Sequence, residues 1–275
     1  MNEPKKIHIT SSGDFFYASI STDSMGYGIS PKYIDWSLNN IMNDNARVVT
    51  DSDIKKYFGP GKIALLLEPY ELHPENYWIA AIGNYDYVLC HHKEWCERHG
   101  WLYYPFGGTF LAEEDWSVYA KTKDVSMFIT NKDTMPGHKL RWRVFRAFGG
   151  IEYFGKAVRP VRNKLEGLKE FAFQIVIESC QARGYFTEKL IDCFLTGTIP
   201  IYWGDPDIED HFDIYGMMLW SGDLAELAMI LEEIKVNKEE IMTNCSSAIA
   251  ENFARAKKYV CAEDQIWERH QEIFE

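Results

Sequence analysis

The chain has 275 residues, 46% of them apolar and 15% aromatic, enough to fill one large core or two smaller ones. Lys and Arg number 29 against 41 Asp and Glu, a formal net charge of -12 that argues against nucleic acid or an anionic membrane as the main partner. No apolar run approaches the roughly 20 residues of a membrane span, and the opening MNEPKKIHITSSGDFF holds no signal-like apolar core, so a cytoplasmic chain without an integral membrane segment is expected.

Short apolar runs alternate with helical patterns along the chain. KIHITS, ARVVT, KIALLLE, YDYVLCH and WLYYPF come first, followed by DVSMFIT, GIEYFG, FAFQIVIES, TIPIYW and MMLW. Runs this apolar suit strands buried on both faces, as in parallel sheets covered by helices, and the fold class is α/β. Helices are expected at His138 to Phe148 and Glu188 to Thr196, with Gly149-Gly150 and Gly197 placed to end them. From Asp223 onward the pattern is helical, with Leu224, Leu227, Ala228, Leu231 and Ile234 on one core-facing stripe. Strand patterning lapses and charge rises between Glu113 and Lys123, which divides the chain into residues 1–118 and residues 119–275, the second part carrying the C-terminal helices.

Six cysteines show no disulfide-like or CxxC spacing and read as reduced thiols. Cys90, His91, His92 and Cys96 have metal-ligand chemistry but straddle a strand end and a short helix and lack a second half. Asp51-Ser52-Asp53 and Asp205-Pro206-Asp207 share the DxD form of metal-dependent sugar transferases, yet such triplets suit turns. GxGxxG and GxxxxGK[ST] are both absent, which disfavours a dinucleotide dehydrogenase or a P-loop enzyme. In GYFTEKLIDCFLTGTIPIYWG, residues 184–204, Glu188 and Lys189 stand at a helix start that leads into an apolar strand. Thr187 as a cap and Glu188 at the positive helix end explain the pair structurally. A phosphate held by the free N–H groups of that helix start is the chemical alternative, which the local pattern alone favours less than the structural one.

The segment from Phe171 to Gly204, FAFQIVIESCQARGYFTEKLIDCFLTGTIPIYWG, resembles the signature of the α-1,3-fucosyltransferase family, glycosyltransferase family 10. Glu178, Tyr185, Thr187, Glu188, Lys189, Gly197, Pro200 and Gly204 are the counterparts of its pattern. VSMFITNKDTMPGHKLRWRVFRAF resembles the family's strand, loop and Arg-bearing helix, with Arg141 as the arginine and Arg143 as second choice. LLLEPYELHPENY is similar to the segment before the acceptor-side carboxylate, which makes Glu68 that residue, with Glu71 and Glu75 next in line. The chain departs from the pattern at Glu178-Ser179-Cys180, where the family has Glu-Asn-Ser/Thr, and shows no anchor or stem like those of animal members, which suggests a soluble bacterial or viral form.

The resemblance implies a GT-B architecture, two Rossmann-like domains facing a cleft, with the second holding the nucleotide sugar. It implies an inverting enzyme that moves fucose from GDP-fucose to a glycan hydroxyl, with no metal and no cofactor. Such a displacement needs cations beside the leaving diphosphate and an anion near the oxocarbenium-like carbon. Arg141 and Lys189 are the expected cations, and Glu178, Tyr185 and Thr187 complete the expected donor site. Glu188, expected to point away from Lys189, would hold the sugar, and Glu68 would take the acceptor proton. Another donor such as UDP-xylose, or a non-catalytic nucleotide-sugar binding protein, is the alternative.

Overall fold

A computed structural model describes residues 7–12, 29–37, 47–51 and 53–274. These residues form two sheets. The first contains β1 (Ile7–Ser12), β2 (Ile34–Ser37), β3 (Val48–Thr50), β4 (Ile63–Leu65), β5 (Tyr87–Cys90) and β6 (Leu102–Tyr103), in the order β2-β1-β3-β4-β5-β6. The second contains β7 (Lys123–Phe128), β8 (Glu152–Phe154), β9 (Phe171–Ile177), β10 (Ile199–Trp203) and β11 (Met218–Leu219), in the order β11-β10-β9-β7-β8. Every pairing between these strands is parallel. Each of the apolar runs read from the sequence contains a strand, while β2, IDWS, is an addition too short and mixed to register as one.

Parallel strands need crossovers, and helices supply them on both faces. Between strands lie α1 (Pro74–Ile82), α2 (Lys93–His99), α3 (Pro136–Ala147) and α4 (Glu188–Phe194), and after the last strand come α5 (Leu224–Asn244), α6 (Ser246–Ala256) and α7 (Ala262–His270), which cover the sheets without connecting strands. On β9 and β10 the side chains alternate by strand period. Phe173, Ile175, Ile177, Ile199, Ile201 and Trp203 pack with Leu140 and Val144 of α3 and Leu227 and Ile234 of α5. Val176 and Tyr202 turn the other way, against Leu190, Ile191 and Phe194 of α4 and Ala256 of α6.

The last helix does not continue the layer over the second sheet. Ala262 and Ile266 of α7, with Ile273 and Phe274 beyond it, join Ile34, Val48, Ile63, Leu65 and Leu89 in a core of the first sheet. The chain crosses back where Gly108 donates its N–H to the Tyr259 carbonyl at 2.8 Å. The expected assignment of all C-terminal helices to the second half therefore does not describe α7. An amphipathic stripe announces that a helix is covered, not by which sheet.

The loops beyond the carboxyl ends of β4 and β5 meet those beyond β9 and β10. Lys93 at the start of α2 takes the Arg183 carbonyl at 2.8 Å, and the Tyr103 hydroxyl donates to the Gly184 carbonyl at 2.9 Å. Carboxyl ends of parallel strands are where α/β proteins build sites, and here two sets of them face each other. No helix of the described residues is long and apolar enough to cross a membrane.

Candidate active site

The site is organised around the carboxyl end of β9. Glu178 follows that strand directly and is fully buried. Its Oε1 accepts the Thr187 backbone N–H at 2.9 Å and its Oε2 accepts the Thr187 hydroxyl at 2.8 Å. One buried carboxylate thus fixes both the position and the rotamer of the residue that caps α4. Two glycines allow the arrangement by having no side chain. A Cβ on Gly204 would lie 2.7 Å from Glu178 Cγ and 2.3 Å from the Tyr202 hydroxyl, and one on Gly137 would lie 1.8 Å from the Glu178 carbonyl oxygen. Gly137 brings the start of α3, and with it Arg141, onto the same loop.

Lys189 folds back across its own helix start. Its Nζ lies 2.8 Å from Thr187 Oγ1, 3.3 Å from Glu178 Oε2 and 3.3 Å from Glu188 Oε1. Glu188 and Lys189 therefore pair, which corrects the expectation that they point apart. Consecutive helical residues do not normally face each other. They meet here because the lysine stem turns toward the N-terminus, where Thr187 and Glu178 draw it. Lys164, from the 3-10 turn Lys164–Gly167, approaches Glu188 Oε1 at 3.5 Å and Asp192 Oδ2 at 3.4 Å. Burial works to raise the Glu188 carboxyl, but Lys189 and Lys164 outweigh it and pull Glu188 down to about 2. Lys189 is likewise disfavoured by burial and raised on balance by Glu188 and Glu178. For Asp192 burial wins over Lys164, and its carboxyl is raised.

Arg141 is 6% exposed, and its Nε donates to the Ile177 carbonyl at 3.1 Å, with Nη2 donating to the same oxygen. The guanidinium thus closes the end of β9. Burial lowers its pKa against the pull of Glu178, Glu188 and Tyr185. Arg143, two positions on, is exposed on the other side of α3. Tyr185 is buried, with its ring 4.9 Å from that of His91 and 5.9 Å from that of His92. Burial raises its hydroxyl well above the usual range, and Glu178, Cys180, Glu68 and Glu188 add to the shift. Tyr185 therefore lies within electrostatic reach of both the α4 carboxylates and Glu68.

Glu68 is exposed, three residues beyond β4, so the strand and its carboxyl-end loop fall where the sequence placed them. Asp51, at the end of β3, holds the loop by accepting the Leu67 N–H at 3.1 Å and the Glu68 N–H at 2.6 Å. The Tyr77 hydroxyl donates to the Glu68 carbonyl at 3.0 Å. Glu75 lies in the first turn of α1, beside His73. Asp51 has this backbone role, and Ser52 lies outside the described residues. Asp205 and Asp207 form a turn, as read: Asp205 Oδ1 accepts from Gly184 and Asp207, and Asp207 pairs with Arg183.

The Cys90 to Cys96 motif does not converge on one point. Cys90 Sγ is engaged with the backbone of His92, His91 Nε2 lies 2.9 Å from the Leu67 carbonyl, and His92 turns elsewhere. Lys164 and Asp192 are participants that the sequence reading missed, and Asp51, read there as part of a turn, has a role on the Glu68 loop that it did not show. Asp192 left a signal, as an acid one turn from Glu188 on a helix otherwise apolar after Lys189 in EKLIDCF.

No family model matches the chain. α-(1,3)-Fucosyltransferase FucT of Helicobacter pylori is 45% identical over 53 residues, 19% of this chain and 11% of that protein. The putative fucosyltransferase R654 of Acanthamoeba polyphaga mimivirus is 35% identical over 71 residues, 26% of this chain and 12% of that protein. A crystal structure of an α1,3-fucosyltransferase with GDP superposes with a TM-score of 0.57 at 14% identity, over 94% of this chain and 92% of that one. The chain resembles the α-1,3-fucosyltransferases. The fucosyltransferase-like fold is of GT-B type, α/β with parallel sheets on either side of a cleft. Anabaena HepE in complex with UDP-glucose shares it, with a TM-score of 0.55 at 10% identity over 84% of this chain and 79% of that one. The sequence matches span about a tenth of the length of the two curated relatives.

Proposed function

We propose that the chain is an inverting, metal-independent glycosyltransferase that moves fucose from GDP-fucose onto a hydroxyl of a glycan. The observation that carries this reading is the convergence of Glu178, Thr187, Glu188, Lys189 and Arg141 at the end of β9, within reach of Tyr185 and across from Glu68. The relatives in hand that are named for an activity are fucosyltransferases, and a structural neighbour of the same fold was solved with GDP-fucose.

In this reading Lys189, half-buried at the start of α4, supplies the mobile positive charge for the leaving diphosphate. Arg141, held by the Ile177 carbonyl, contributes a fixed positive field rather than a two-pronged clamp. Two cations and the start of α4 supply what a metal would bring, so no cofactor is assigned. Glu188 remains anionic at neutral pH and stabilises the developing positive charge of the sugar. Glu68, exposed on the facing loop, accepts the proton of the attacking hydroxyl. The division of labour falls near residue 118, with α7 returning to the acceptor side.

A different donor is the second reading. Ser179 stands where the family signature has Asn, and HepE of the same fold carries UDP-glucose. The deciding experiment incubates the purified chain with GDP-fucose, UDP-glucose or UDP-xylose and a set of glycan acceptors. Mass spectrometry of the glycans and NMR of the new anomeric centre read the outcome. An inverted fucosyl product supports the proposal, a UDP-sugar product moves the donor assignment, and no product with any pair overturns the reading as an enzyme.

A further inference from the structure

Glu71, His92 and Cys180 bring one potential ligand atom each to within 4.8 Å of one another. Glu71 lies in the turn beyond β4, His92 caps α2, and Cys180 lies beyond β9, so the three come from both sides of the cleft. His92 is 4% exposed, and its Nε2 is buried with no hydrogen-bond partner among the described residues. Such an orphaned nitrogen is uncommon, because buried polar atoms are normally paired. Cys180 is 1% exposed and free of any disulfide, whereas Glu71 is exposed. A cavity of ≈ 410 Å³, lined by Tyr70, Glu71, Trp78, His92, Trp95 and Arg183 among others, leads to the cluster from solvent.

We infer that Glu71, His92 and Cys180 form a binding site for a zinc-class divalent ion that ties the β4 and β5 loops to the β9 loop. One sulfur, one imidazole nitrogen and one carboxylate oxygen are a borderline-soft donor set that suits zinc and disfavours magnesium and calcium. Tetrahedral bonds of about 2.0–2.3 Å hold ligands about 3.3–3.8 Å apart, so separations of up to 4.8 Å close onto an ion by up to about 1 Å through side-chain rotation of all three residues, of which Glu71 is the exposed one. As the metal–sulfur bond forms, the Cys180 thiol releases its proton to the buffer. Water from the cavity would complete the tetrahedral set as the fourth ligand. The inference is independent of the proposed transfer reaction and is read without it.

The test titrates the reduced, chelator-stripped chain with zinc chloride by calorimetry in buffers of different ionisation heat, and measures alkylation of Cys180 with and without the ion. One zinc per chain, proton release and protection of Cys180 are expected. Cys180→Ala and His92→Ala should each weaken binding by at least about 100-fold, since second-layer losses alone cost 10- to 100-fold. Glu71→Gln, an exposed change that leaves folding intact, should weaken it by at least about tenfold. Cys96→Ala should bind as the parent does. No binding, unchanged affinity in Glu71→Gln and Cys180→Ala, or loss through Cys96→Ala instead would each overturn the site.

Discussion

Glu178→Gln separates architecture from chemistry at the centre of the site. Glutamine keeps the volume of the side chain, and its oxygen can still accept the Thr187 N–H now held at 2.9 Å. Its amide nitrogen, however, replaces the oxygen that lies 3.3 Å from Lys189 Nζ, so a charge pair becomes two opposed donors. Removing one partner of a buried pair costs about 3–5 kcal/mol. Lys189 is 26% exposed and keeps Glu188 at 3.3 Å, which brings the cost below that of a fully buried pair, to about 2–3 kcal/mol. In a chain of this size that lowers Tm by roughly 5–10 °C. Donor affinity, by calorimetry with GDP, should fall at least about tenfold, equivalent to about 1.4 kcal/mol. Adding Lys189→Met to the variant removes the orphaned charge, so thermal stability should partly return while donor binding does not. A Glu178→Gln protein with parental Tm and parental GDP affinity would refute the reasoning, since neither the pair nor the placement of Thr187 would then matter.

Three further outcomes are expected. Lys189→Ala should raise the transition-state barrier by about 2–4 kcal/mol in kcat/KM, and Arg141→Ala should do so while also destabilising the chain by about 1–3 kcal/mol, because it leaves the Ile177 carbonyl without its donor. Transfer should continue in excess EDTA; a rate that collapses and is restored by manganese would return the role to a metal. Asp205 is raised by burial from 3.8 to about 6, so its contribution to stability is full below about pH 4 and is lost as pH rises to about 6. That loss is about 3 kcal/mol at most. Asp205→Asn, which keeps the oxygen facing Gly184 and Asp207, should flatten this slope in denaturant melts taken from pH 4 to pH 7.

Much of the fold was legible because strands covered on both faces must be apolar throughout. FAFQIVI and IPIYW are therefore unmistakable, and both are wholly buried. IDWS carries too little of that signal. α1 was not read from the sequence, although Pro74 opens it at the position in a helix where proline is tolerated best. Within the site, Glu178, Thr187, Glu188 and Lys189 are close in the chain and share one strand–loop–helix unit, so a local signature could bring them together. Lys164 arrives from a separate 3-10 turn, Asp51 acts on Glu68 through backbone N–H groups, and α7 chooses its sheet by tertiary packing. None of these depends on spacing along the chain. The direction of Lys189 was also illegible, because it is set by Glu178 and Thr187 rather than by the helix that carries it.

The central claim is that proton removal and donor binding reside on opposite sides of the cleft, and acceptor-dependent release of GDP from GDP-fucose by Glu68→Gln tests it most directly. Glutamine matches glutamate in size but is not basic, and Asp51 holds this loop through the backbone, which the change leaves untouched. The account predicts parental GDP affinity with acceptor-dependent release slowed by roughly 10²- to 10⁴-fold. Release at the parental rate would place the base elsewhere, and loss of GDP binding would contradict the separation of the two sides.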